Sequence, residues 1–212
     1  MGSKRLGLAR TQALLENLKR DLNMNGAAFV GASLKGTSTV TYGDGALSGS
    51  TTAPTTKVVT VNGEIITTIT VDLTNLSASG AVGKIVGNEE AAADGTAPAY
   101  LMQWSTTTNG VMYKAEMSCV EVPAGNATLL DFDLETDDVA LEQGADPSTN
   151  NVVILAAAGN FAQGTTIQDL SVGDIGNDQY IYIITGAAIG ATGDAQFSAG
   201  KFVIKFYGYV DF

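Results

Sequence analysis

Apolar positions along the chain recur with two different periods. Between residues 6 and 24, Leu8, Leu15, Leu18 and Leu22 fall seven, three and four apart, with Leu14 widening the stripe. That spacing predicts one short amphipathic helix. Asn25-Gly26 supplies its stop, and Lys19 and Arg20 suit the negative end of its dipole. Beyond Gly26 the period drops toward two. Short β-prone runs at 27–34, 37–42, 57–61, 64–73, 100–106, 111–122, 128–135, 151–157, 179–185 and 201–210 are separated by turn-forming residues, many of them Gly, Asp and Asn. Asn62-Gly63 and Asn109-Gly110 each stand between two such runs and predict type I′ hairpin turns, because both residue types tolerate positive φ.

About eight to ten short strands with no helical crossovers predict a mainly β fold: an antiparallel β-sandwich or jelly roll preceded by one short N-terminal amphipathic helix. The expected division is a helical arm over 1–26 and a β-sandwich domain over 27–212. Residues 47–56, 87–98 and 136–150 read as loops, and there is no internal repeat. No apolar run nears the roughly 20 residues of a membrane span. The first 15 residues also lack the continuous apolar stretch of a signal peptide, so the expectation is a soluble protein made in a cytoplasm, without a membrane partner.

Charge changes the picture of the arm. The chain has 212 residues with 11 basic and 22 acidic side chains, a formal charge of -11. Residues 1–23 hold five basic (Lys4, Arg5, Arg10, Lys19, Arg20) against two acidic side chains, +3, which leaves six against twenty, −14, for the rest. A basic arm on an acidic body is steered toward negative surfaces, while the body repels nucleic acid. The stripe Leu8, Leu15, Leu18 and Leu22, with Arg10, Lys19 and Arg20, is therefore the candidate assembly interface, covered by the chain's own β domain, by another copy or by a different partner.

Candidate chemistry is sparse. With no histidine, the usual general base and the commonest zinc ligand are missing. The lone cysteine, Cys119, lies in an apolar run and reads as a small buried hydrophobe. Gly200-Lys201 lacks both the leading glycine and the following Ser/Thr of a phosphate loop. Ser198 and Lys201 have nucleophile-pair spacing but lead into a strand rather than a helix. Asp131, Asp133 and Glu135 alternate with Phe132 and Leu134, so a strand would set them on one face; calcium is conceivable chemically, and a solvated face is the expectation. Asn75-Leu-Ser and Asn126-Ala-Thr fit the glycosylation sequon, without a secretion signal to make use of it. Tyr100, Met102 and Trp104 share one parity, as do Tyr207 and Tyr209; such stripes serve as core, as sugar platforms or as intersubunit anchors, with core expected above all for Phe202, Ile204 and Phe206. No catalytic residue, cofactor or metal is expected.

The opening Met-Gly-Ser-Lys-Arg-Leu-Gly-Leu-Ala-Arg-Thr-Gln-Ala-Leu-Leu-Glu-Asn-Leu-Lys-Arg (1–20) precedes a Gly-rich β body, which ends in Ser-Ala-Gly-Lys-Phe-Val-Ile-Lys-Phe-Tyr-Gly (198–208). In these segments, about 30 residues together, the chain resembles virion structural proteins of marine tailed bacteriophages, particularly cyanophages. The resemblance implies a particle component located in the virion and assembled in the host cytoplasm. It carries no catalytic residue across. The expected role is a head decoration, or cement, protein that binds the major capsid protein lattice or other virion proteins as a homo-oligomer, a trimer above all. The alternative is a fibre or receptor-binding module that recognises host surface glycan.

Overall fold

The computed structural model describes residues 41–46, 53–88, 97–125, 131–147, 151–157, 159–186 and 195–209, all within the unit Thr37–Phe212. The expected arm, with Leu8, Arg10, Leu15, Leu18, Lys19, Arg20 and Leu22, lies outside the described residues, as does the strand expected at 27–34. The described chain is mainly β. Its strands are β1 (Thr55–Val61), β2 (Glu64–Asp72), β3 (Ser77–Ala78), β4 (Met102–Gln103), β5 (Val111–Gly125), β6 (Phe132–Asp137), β7 (Val153–Leu155), β8 (Thr166–Asp169), β9 (Tyr180–Thr185) and β10 (Ala195–Tyr209).

Every pairing is antiparallel. The larger sheet runs β1-β2-β10-β5-β8, with β3 against one end of β10, and the smaller runs β4-β9-β6-β7. Its spine is the pair β5 and β10, 15 residues each. At about 3.4 Å per residue such strands reach roughly 50 Å, far beyond the usual five or six residues. Register shifts at four places along this pair are what let so long a ribbon bend and re-aim its side chains. Phe197 faces inward before the first three shifts, and Phe202, Ile204 and Phe206 face inward after them, so the buried parity changes from odd to even.

Inward side chains of both sheets meet in one apolar cluster. Phe132 of β6 stands 5.7 and 5.5 Å from Phe197 and Phe202 of β10, and Phe161 packs edge-on at 5.1 Å against Phe202. Trp104 meets Phe206 edge-on at 5.8 Å. Offset and edge-to-face aromatic contacts of this kind add to the burial term, and they tie β10 to the smaller sheet.

The two Asn-Gly pairs do different jobs. Asn62 and Gly63 take φ of 53° and 84° and join β1 to β2 with Val61 opposite Glu64, the expected I′ hairpin. Asn109-Gly110 does not close a hairpin. Asn109 ends the helical turn α1 (Thr106–Asn109), which is capped by Gly110 at φ 76°, while β4 before it and β5 after it belong to different sheets. The reason is the buried Asn109 side chain: its amide donates to the Thr67 hydroxyl at 2.8 Å and its oxygen accepts from the Ser105 amide at 3.1 Å. The chain is thereby locked into a corner that carries it from one sheet to the other.

Candidate interaction surface

Each strand of the larger sheet alternates core residues with outward ones, and register sorts the outward residues into rows. Val61, Glu64, Tyr209 and Val111 form the first row across β1, β2, β10 and β5. Val59, Ile66, Tyr207 and Lys114 form the second, and Lys57, Thr68, Lys205, Glu116 and Gln168 the third, reaching β8. Further along, Lys201 stands between Asp72 and Glu121. The shift between Tyr207 and Gly208 brings Tyr113 onto the same face, 6.4 Å from the Tyr207 ring and 6.3 Å from that of Tyr209. Tyr113, Val61 and Tyr209 are 36%, 49% and 48% exposed, so one end of the face is aromatic and aliphatic and open to water.

Two of these rings are held by hydrogen bonds. The Tyr113 hydroxyl donates to Glu64. The Tyr207 hydroxyl donates to Glu116 at 2.8 Å, and the Lys114 ammonium lies 4.5 Å over the Tyr207 ring while it pairs with Glu116. Burial, the bond to Glu116 and the nearby carboxylate charges push the Tyr207 phenol up to about 12. Burial also raises Glu116, but hydrogen bonds from Lys114 and Tyr207 and the charges of Lys114 and Lys205 outweigh it and hold the carboxyl below its ordinary value. Lys201 pairs with Asp72 at 3.4 Å and Glu121 at 3.2 Å. Exposed pairs of this kind, screened by solvent, contribute little to stability. Their larger effect is to fix rotamers, which lowers the entropic cost of docking a partner on the face.

The other sequence candidates fall elsewhere. Met102 and Trp104 are fully buried, and Tyr100 is half-buried against the Tyr180 ring at 4.7 Å, so that stripe is core and corner packing. Cys119 is a buried free thiol raised by burial. Lys201 is occupied by its two carboxylates rather than by Ser198.

The expected solvated face of Asp131, Asp133 and Glu135 is corrected by the segment that returns over it. Asp131 is buried and Asp133 and Glu135 are half-buried. Asp133 accepts the Ala157 amide at 2.6 Å and Glu135 accepts the Asn151 side-chain amide at 3.0 Å. Burial is the main cause that raises the Asp133 carboxyl, with the charges of Asp131 and Glu135 adding to it. Among the described residues, no group of three or more His, Cys, Asp or Glu side chains is placed to hold a metal ion.

Tyr207 and Tyr209 were legible from their parity. Tyr113 was not, because the bulge that turns it outward leaves no mark in the alternation, and the Lys and Glu partners become neighbours only through cross-strand register. Compared with known protein families, curated proteins and solved structures, the chain matches none.

Proposed function

We propose that this protein is a non-enzymatic virion component of a tailed bacteriophage, a decoration or cement protein whose two sheets form a β-sandwich of the jelly-roll type and which binds the major capsid lattice. The observation that carries the reading of an assembling, non-enzymatic component is the outer face of the larger sheet. A rigid antiparallel frame holds Tyr113 and Tyr207 by hydrogen bonds to carboxylates beside the exposed Tyr209, which is the character of an anchor for macromolecular docking. The resemblance of residues 1–20 and 198–208 to virion structural proteins supports the particle context. The N-terminal segment, with its leucine stripe and basic residues, supplies a second attachment, and homo-oligomerisation multiplies the contacts with the shell.

The second reading is a fibre module that binds host glycan, favoured by the open rings of Tyr113 and Tyr209, on which a sugar could stack. Copy number on purified particles separates the two. A decoration protein is present at hundreds of copies per particle, whereas a few to a few tens place it on a fibre and overturn the shell assignment.

A further inference from the structure

The charge of the described residues is distributed very unevenly. Five lysines lie among them, and four, Lys57, Lys114, Lys201 and Lys205, stand on the outer face of the larger sheet. They share it with four carboxylates: Glu64, Asp72, Glu116 and Glu121. The face is therefore neutral. All remaining described residues together hold one lysine, Lys84, against eleven carboxylates.

We infer that this face is where a second copy of the chain docks, face to face about a two-fold axis. Two copies that approach through carboxylate-rich surfaces meet like charge on like charge, a repulsion of several kT in such fields. Among the surfaces of the described residues, the neutral face is the approach with least repulsion. It also carries what such a contact needs: exposed Val61, Tyr113 and Tyr209 beside Val59, Ile66 and Tyr207, with the hydroxyls of Tyr113 and Tyr207 already held. A two-fold contact presents the same patch on both partners and must be self-complementary. A patch with equal numbers of lysines and carboxylates around an apolar end can meet that condition, whereas a single-sign patch cannot. The pairing builds even-numbered assemblies in place of the trimer expected from the sequence.

The inference rests on the reading of the protein as an assembly component, and its test uses only the isolated full-length chain, so it can fail while the virion assignment stands. Sedimentation velocity across a concentration series should show a monomer–dimer equilibrium. Because a neutral, partly apolar contact joins two acidic bodies, association should strengthen as salt rises from about 10 to 150 mM and screens their mutual repulsion. Val61→Glu and Tyr209→Glu, both at exposed positions, should weaken the dimer at least tenfold. Val139→Glu and Val153→Glu, at exposed positions off this face, should leave it unchanged. Tyr209→Ser serves as a milder variant if a charge disturbs the strand. A protein that stays monomeric at all concentrations overturns the inference. So does a dimer that the face variants leave intact, or one that weakens as salt is added.

Discussion

Tyr207 shows how one outward side chain can carry stability, electrostatics and surface character together. Its hydroxyl donates to Glu116, and Lys114 sits over its ring. Because its folded pKa is pushed up to about 12, above the ordinary phenol value near 10, the folded state retains this proton where the unfolded chain releases it. The associated stability is fully present below pH 10 and is lost as pH rises through 10 to 12. Tyr207→Phe should flatten that alkaline decline and lower neutral stability by about 1 kcal/mol for the lost hydrogen bond. Thermal melts across pH, beside an ultraviolet titration of the tyrosines, check both effects. Glu116 has the opposite sign: its carboxyl is held low, so its contribution is present above the ordinary carboxyl range and lost as pH falls through that range.

Among elements, the two Asn-Gly turns invite a direct comparison. An added Cβ at Gly63 meets nothing, whereas at Gly110 it would lie 2.5 Å from the Tyr209 carbonyl oxygen. Both glycines have positive φ, which costs an L side chain roughly 1–2 kcal/mol. Gly63→Ala should therefore lose about that much. Gly110→Ala should lose clearly more, because β10 must shift to make room, and the shift propagates to Trp104, whose indole donates to the Gly110 carbonyl at 3.2 Å. Denaturant unfolding of the two variants, with midpoints compared at equal slope, measures the difference. Equal losses would mean that the corner is softer than its contacts imply.

For the whole molecule, the question is how the acidic β body and the basic N-terminal segment divide the work. The described body has its own apolar cluster joining both sheets. Deleting residues 1–26 should leave the β body folded, with its melting transition retained, while, on the proposed decoration role, occupancy on capsids falls and the salt sensitivity of that binding drops with the lost +3 charge. A truncated chain that melts much earlier and exposes apolar surface would assign the leucine stripe to the domain's own core. Unchanged capsid binding would remove the arm from the attachment altogether.

The sequence by itself determined the class of fold and much of its local detail. Alternation and turn chemistry are local properties, so the runs at 64–73, 111–122, 179–185 and 201–210 could be read as strands, and Asn62-Gly63 as a hairpin, from neighbours alone. The inward set Phe202, Ile204 and Phe206 followed from the same period-two rule. What only the tertiary structure decided was everything that depends on which strands meet. Asn109-Gly110 has the same two letters as Asn62-Gly63, yet a buried amide bonded to Thr67, 42 residues away, turns it into a corner between sheets. The carboxylates of β6, Asp133 and Glu135, alternate as a solvated face would, but the returning segment 151–157 bonds to them and leaves them half-buried. Tyr113 reaches the outer face through a bulge set by its pairing with β10. The neutral patch exists only because cross-strand register gathers lysines from β1, β5 and β10 beside carboxylates from β2 and β5, an adjacency that distance along the chain does not encode.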